Sequence, residues 1–250
     1  MPLPFAPERS PAVLVPVLAA QPADVLTQAA SLAALGAGER PDVVEWRADH
    51  LATLDAHHAA ETARAVSGVL SPVPLLATLR SADEGGAAGV RNADSMQILT
   101  ALASTAGVAA VDVEFAYGGA FVEEIRACAR ENGTAVVVSA HDFAHTPPVH
   151  AMVDHLLAMQ ATGAEVVKLA VTPGSPRDSA ALLEATAEFT AHHHTPVMTM
   201  SMGAIGMVTR LTGHLFGSAG TFASAGRSSA PGQPGLAQLH AALRAIRAAG

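Results

Sequence analysis

Gly163-Ala-Glu-Val-Val-Lys-Leu-Ala-Val171 is the stretch on which the fold is decided. Its valines and leucine, running on from a glycine, mark a β-strand. Inside it sits Lys168, the one lysine of the 250 residues; the other thirteen basic residues are arginines. A chain that carries its positive charge on arginine, and keeps one lysine inside a strand, needs an amine there. A primary amine, unlike a guanidinium, can lose its proton, attack a carbonyl carbon and form a Schiff base. Desolvation by Val166, Val167, Leu169 and Ala170 is the kind of environment in which an amine becomes a nucleophile. The competing explanation is a lysine at a strand edge that snorkels into water.

Outward from this strand, similar runs recur at Ala12–Val17, Asp42–Arg47, Pro74–Arg80, Val108–Glu114, Thr134–Ser139, Pro196–Met202 and, weakest, Thr221–Ala223. With Glu165–Val171 they make eight. Between them lie alanine- and leucine-rich stretches of helical length, among them Ala23–Leu35, Ala93–Ser104, Phe121–Glu131, Val149–Ala161 and Arg177–His192; Leu236–Ala249 closes the chain. Eight strands, each followed by a helix, predict an α/β fold, a (β/α)8 barrel formed as a single domain over residues 1–250. The alternative is an open doubly wound sheet. No Gly-x-Gly-x-x-Gly follows the first strand, which counts against a dinucleotide site.

Polar residues gather at the carboxyl ends of these runs. Glu45-Trp-Arg47-Ala-Asp49, Thr78-Leu-Arg80, Asp112-Val-Glu114 and Ser139-Ala-His141 join Lys168 there. Strand side chains alternate, so Glu45 and Arg47 share one face and Trp46 the other, and Asp112 and Glu114 share a face. A polar ring at the carboxyl mouth is where barrel enzymes build their sites.

Composition excludes several functions. A formal charge of −8, no basic stripe and an aromatic content of 4% argue against a nucleic-acid partner. No apolar run has membrane-spanning length, and no signal peptide is expected at the amino end. A single cysteine, Cys128, rules out an internal disulfide and fits a reducing, cytoplasmic setting. No histidine pair with flanking carboxylates has zinc spacing, and His192, His193 and His194 are expected at an exposed helix end.

His141 stands apart from the other histidines because it leaves the apolar run Val136-Val-Val-Ser-Ala-His141, one strand before that of Lys168. In a barrel these strands are neighbours, which pairs an amine with a proton shuttle. Glu84 precedes a flexible Gly85-Gly86 pair and is a candidate to fix the histidine tautomer, or a plain polar turn. The long tail after the seventh strand, from Met198 through Ser228-Ser-Ala-Pro-Gly-Gln233, suggests mobile loops over a pocket. Arg210 within it is a candidate carboxylate clamp; alternate methionines there more often mean core packing.

Taken together, these segments resemble the type I 3-dehydroquinate dehydratases. The resemblance rests on Glu45-x-Arg47-x-Asp49, Thr78-x-Arg80-x-x-x-Glu84-Gly-Gly86, Asp112-x-Glu114, Ser139-x-His141-Asp-Phe143-x-x-Thr146-Pro147, Lys168-x-Ala170, Met200-Ser-Met-Gly203, Arg210, Phe216-Gly-Ser218, Thr221-Phe222 and Ser229-Ala-Pro-Gly-Gln233. It implies a lysine imine on Lys168 with His141 as base and then acid, and Glu84 orienting His141. It implies dehydration of 3-dehydroquinate to 3-dehydroshikimate by syn elimination, on the shikimate route to chorismate and the aromatic amino acids. It also implies Arg210 on the substrate carboxylate and Glu45, Arg47, Arg80, Ser229 and Gln233 on its hydroxyls and ring. Phe143, Met200, Met202 and Phe222 would line the pocket, and Ser224–Gln233 would form a lid. Trp46, between Glu45 and Arg47, is carried among the substrate contacts despite its opposite parity. No metal or organic cofactor is implied, and a homodimer is. Departures are Pro16 where the family often has serine, Ala140 where asparagine is common, and a short proline-rich amino terminus. An aldolase of the same Schiff-base class, or a degenerate barrel that only binds a small anion, are the alternatives.

Overall fold

In the computed structural model, residues 5, 10–87, 89, 92–226 and 229–248 are described. Ser228, Ala249 and the amino-terminal residues other than Phe5 and Ser10 onward lie outside them. The strands are β1 (Ala12–Val17), β2 (Val43–Arg47), β3 (Leu75–Thr78), β4 (Val108–Glu114), β5 (Ala135–Asp142), β6 (Val166–Val171), β7 (Val197–Ser201) and β8 (Gly220–Phe222). The helices that follow them are α1 (Pro22–Ala33), α2 (Ala56–Leu70), α3 (Asn92–Ala103), α4 (Gly119–Asn132), α5 (Val149–Ala161), α6 (Pro176–His192), α7 (Met207–Thr212) and α8 (Leu236–Ala248).

β1 to β7 pair in parallel with their neighbours in chain order, and β8 pairs with β1. A parallel bridge between Val197 and Ser218 draws the last gap together, and the Ala219 N–H donates to the Val197 carbonyl at 2.7 Å. The sheet is therefore a nearly closed (β/α)8 barrel and not the open sheet held as the alternative. Among the described residues no helix is long and apolar enough to cross a membrane.

Parity divides the buried side chains into two cores. Val44 and Trp46, Leu75 and Ala77, Val111 and Val113, Val136 and Val138, and Val167 and Leu169 face outward and pack with the helices. Leu14, Val43, Leu76, Ala110, Val137, Val166, Met198 and Phe222 face inward, joined by Phe5. On the inner face β2 to β6 change character along their length. Val43 is followed by Glu45 and Arg47, Leu76 by Thr78, Ala110 by Asp112 and Glu114, Val137 by Ser139 and His141, and Val166 by Lys168. The barrel floor is thus hydrocarbon and its carboxyl mouth is polar, a consequence of the period-2 alternation.

Element ends differ from the sequence expectation in ways the backbone explains. β3 is shorter than Pro74–Arg80, since the chain turns at Arg80-Ser81 into a 3-10 turn over Ala82–Glu84, with the Ser81 hydroxyl accepting from the Glu84 N–H. β5 runs past Ser139 to Asp142, so His141 is still a strand residue paired with Ala170 of β6. α2 was not among the helical stretches singled out. Its start depends on Asp55, whose side chain accepts from the His58 N–H, and not on apolar periodicity.

Phe189 of α6 is fully buried in the outer core. Replacing it by alanine removes a ring that the helix–sheet layer cannot refill, so Phe189→Ala is expected to lower unfolding free energy by about 3–5 kcal/mol. Denaturant unfolding measures this, and a loss below about 1 kcal/mol would contradict the packing described.

Candidate active site

The carboxyl mouth holds a cavity lined by Glu45, Arg47, Arg80, Glu84, His141, Phe143, Lys168, Met200, Met202, Arg210, Phe222, Ser229 and Gln233, together with Gly85, Ala170 and Ala230. Thirteen of the fourteen candidate residues read from the sequence meet there. The exception is Trp46, which is fully buried in the outer core, between the strands and the helices. Its place follows from alternation: Glu45 and Arg47 point in, so the residue between them points out.

Lys168 is only 4% exposed. Its Nζ lies 3.3 Å from Asp112 Oδ2 and 3.7 Å from Glu45 Oε1, and 4.8 Å from the centroid of the Phe222 ring. The neighbouring strand brings in His141, because Ser139 pairs with Lys168 and His141 with Ala170 in the β5–β6 register. The lysine and the histidine thus rise from adjacent strands on the same inner face.

His141 Nδ1 is 2.8 Å from Glu84 Oε2, and Arg80 Nη1 donates to that same oxygen at 3.2 Å. With Nδ1–H donating to this oxygen, Nε2 keeps its lone pair for the cavity. Burial first, then the charges of Arg80, Lys168 and Arg47, lower the histidine's proton affinity well below its ordinary value. Burial also pushes Glu84 up to about 8, against the pull of Arg80 and with help from Glu114 and Asp112. Both shifts disfavour the charged pair. The histidine is therefore neutral at pH 7.

Arg80 joins these halves. Its Nη1 donates to Glu84, to Glu114 Oε1 at 3.1 Å and to Ser139 Oγ at 3.0 Å, and its Nη2 donates to Asp112 Oδ1 at 2.7 Å. Burial alone would weaken its hold on a proton, but Asp112, Glu114, Glu84 and Glu45 more than offset this and strengthen it. Asp112 mirrors it: burial favours the acid form, yet Arg80, Lys168 and the Ser139 hydroxyl keep its pKa below the usual value.

Arg47 forks onto Asp49, with Nε and Nη2 each 2.7 Å from a carboxylate oxygen. Asp49 also accepts from the backbone N–H groups of Arg80 and Ala87, which ties the β3 exit loop to β2. Arg210 is different. It is 2% exposed, its Nη1 lies 3.7 Å from Met200 Sδ and its Nη2 3.5 Å from the Pro231 carbonyl, and its Nε has no partner. No carboxylate among the described residues offsets its burial, which lowers its pKa to about 10. It is a buried cation facing a cavity, which is where an anion belongs.

The Gly85-Gly86 pair is not the flexible element expected. Gly85, at φ 78°, closes the 3-10 turn, and a side chain there would strike the Phe143 ring. A side chain at Gly86 would collide with the Arg80 carbonyl. The pair lets the loop press against β3 and aims Glu84 under His141. At the tail, the Ser229 N–H and hydroxyl both engage the Gln233 amide, at 3.1 and 2.9 Å, and the Gly203 N–H donates to the Pro231 carbonyl. Asp112, Glu114, Ser139 and Thr78 were noticed as polar strand ends but given no role. They are the acceptors and donors that hold Arg80, Lys168 and Glu45. Pro16, at the mouth of β1, pairs in register with Glu45 and brings no hydroxyl to the mouth. Among the described residues no cluster of three metal-ligating side chains occurs.

Fold and site together define a (β/α)8 barrel with a buried, charged cavity at its carboxyl mouth. A family model for type I 3-dehydroquinase matches residues 13–249, and the chain belongs to that family, a family of hydro-lyases. A 3-dehydroquinate dehydratase from Geobacillus sp. (strain WCH70) is 34% identical over 239 residues, 95% of this chain and 90% of that one. One from Bacillus velezensis is 37% identical over 241 residues, 94% of this chain and 92% of that one. Among solved structures, the type I 3-dehydroquinate dehydratase of Clostridium difficile, determined with covalently modified comenic acid, superposes with a TM-score of 0.92 at 32% identity, covering 98% of this chain and 96% of that one.

Since Trp46 belongs to the outer core, Trp46→Phe is expected to cost about 1 kcal/mol of stability and to leave KM within about twofold of the parent. Steady-state kinetics on the folded variant decide it. A tenfold rise in KM would put Trp46 back among the substrate contacts.

Proposed function

We propose that the protein dehydrates 3-dehydroquinate to 3-dehydroshikimate through an imine on Lys168, as a step of the shikimate pathway. One observation carries this: an amine and a neutral imidazole rise from adjacent strands into a cavity also lined by a buried guanidinium with no carboxylate partner among the described residues. The substrate is a hydroxylated ring with one carboxylate and one ketone. Arg210 matches the carboxylate and Lys168 the ketone. Glu45, Arg47, Arg80, Ser229 and Gln233 offer polar atoms to the hydroxyls, while Phe143, Met200, Met202 and Phe222 cover the ring faces.

The chemistry then follows. The lysine amine adds to the ketone carbon; the carbonyl oxygen takes up protons and leaves as water; the nitrogen becomes an iminium. That cation draws electrons from the adjacent carbon, so an imidazole is a strong enough base to take its proton. The electron pair left on carbon forms the new double bond as the hydroxyl departs, and His141 returns the proton to it, giving a second water. Proton removal and return by one ring require both events on the same face. Hydrolysis of the product imine restores the amine. The Clostridium difficile relative, solved with a covalently modified ligand, supports a site of this family that forms covalent adducts.

Borohydride reduces an iminium to a stable secondary amine. Treatment in the presence of 3-dehydroquinate is expected to leave one adduct, on the peptide that carries Lys168, and Lys168→Ala is expected to abolish it. Adduct elsewhere than Lys168, with the amino-terminal amine excluded by mapping, overturns the assignment. His141→Ala should slow turnover by about 10²–10⁴-fold while adduct still accumulates. Wild-type turnover in that variant removes the histidine from the mechanism.

The pH profile gives a separate check. Because burial and three cations lower the histidine's proton affinity, its base form persists below its ordinary pKa of 6.5. The acid limb of kcat/KM, which reports the free enzyme, is expected below that value. An acid limb at or above pH 7 contradicts the electrostatics of the mouth.

A further inference from the structure

Asp112 has contacts that the chemistry above does not use. Its carboxylate is fully buried. Oδ1 accepts from Arg80 Nη2 at 2.7 Å and from Ser139 Oγ at 2.6 Å, and Oδ2 lies 3.3 Å from Lys168 Nζ. One oxygen is therefore anchored to the protein and the other is presented to the amine. Glu45, the second carboxylate near Nζ, is farther at 3.7 Å and already accepts from the Thr78 hydroxyl at 3.0 Å.

We propose that Asp112 is a positioning residue for Lys168: it fixes Nζ at the cavity wall and holds the nitrogen's positive charge once the imine has formed. The inference rests on the Schiff-base reading of the site. A lysine stem has four rotatable carbons, and an amine free to swing would meet the ketone in few of its conformations. Asp112 Oδ2 at 3.3 Å and the Phe222 ring at 4.8 Å confine it. The demand changes after the N–C bond forms. The iminium nitrogen keeps one hydrogen and one positive charge in a buried place, and both need an acceptor. Asp112 is suited to stay an acceptor. Arg80 and Lys168 keep it ionised in spite of burial, so it is a poor base and leaves the iminium proton in place. The electron sink remains charged while His141 takes the carbon-bound proton. Arg80 ties the two assignments together, since its other nitrogen holds Glu84 under the histidine.

The test is time-resolved borohydride trapping with 3-dehydroquinate on three full-length proteins: wild type, Asp112→Asn and Glu84→Gln. In Asp112→Asn the rate of adduct formation and kcat are expected to fall together, on the order of 10²-fold, with KM within about threefold because Arg210 is untouched. In Glu84→Gln turnover falls but adduct accumulates, because proton transfer and not imine formation is impaired. Adduct formation at the wild-type rate in folded Asp112→Asn overturns the proposal, and so does a loss confined to KM. Should Asp112→Asn not unfold cooperatively, Ser139→Ala takes its place. It keeps the carboxylate but removes the hydroxyl on Oδ1. Where Ser139→Ala keeps the wild-type rate because Arg80 still anchors Oδ1, Asp112→Ser decides: it removes the carboxylate that faces Nζ, and a wild-type trapping rate in that folded variant overturns the proposal equally. Failure of the wild type to give any adduct at Lys168 is a different result: it refutes the Schiff-base reading itself.

Discussion

The guanidinium of Arg80 is the group on which the rest of the mouth depends. It is buried among three carboxylates, and each of those carboxylates is bound to something else. Glu84 faces His141, Asp112 faces Lys168, and Glu114 accepts from the Ser81 N–H that begins the β3 exit loop. A buried ion pair returns little net stability, because desolvation offsets the attraction. Such a cluster therefore persists for what it arranges. Removing the cation would leave several acids crowded without a counter-charge, and the proton distribution at both proposed reacting groups would change at once. The Arg80 side chain was read as a substrate contact. It lines the cavity, but every described hydrogen bond of its guanidinium goes to protein.

Much of this was legible in the sequence because two periodicities coincide. The barrel could be read from eight strand runs separated by helical lengths. The site could be read because the inner face of β2 to β6 switches from apolar to polar over two or four residues, as in Val137, Ser139 and His141 or Val166 and Lys168. Parity alone then decides which polar groups face one another. It also decided against Trp46, which two inward neighbours had drawn into the list of contacts. The position, and not the residue type, settles where this side chain goes.

What the sequence left open lies in close approach and in direction. Gly85-Gly86 reads as a mobile pair in one dimension. In three, both glycines exist because a neighbour is too near: the Phe143 ring for one and the Arg80 carbonyl for the other. Asp112 and Glu114 showed as a same-face pair, but nothing in the spacing told which cation each would take. That depends on the register of three strands, which sets Thr78 beside Asp112 and Glu114 beside Ser139. The start of helix α2 was left open for a related reason: one capping aspartate fixes it.

The charges of the mouth fall into two classes, and the difference bears on the proposed substrate. Arg47, Arg80 and Lys168 have carboxylates at hand, so the protein itself neutralises them. Arg210 is buried as deeply and has none among the described residues; its environment is thioether, carbonyl and apolar surface. An uncompensated buried cation is destabilising in the empty site, and that strain is relieved when an anion arrives. Binding energy for a carboxylate is thus concentrated at α7, while Lys168 stands on β6 within the ring of strands. A ligand long enough to satisfy Arg210 must lay its remaining atoms across the mouth toward the amine. On the proposed reading, a guanidinium without a carboxylate among the described residues and an amine that has one suit a small acid that carries its carbonyl group away from its carboxylate, with hydroxyls for Glu45, Arg47 and Gln233 to hold.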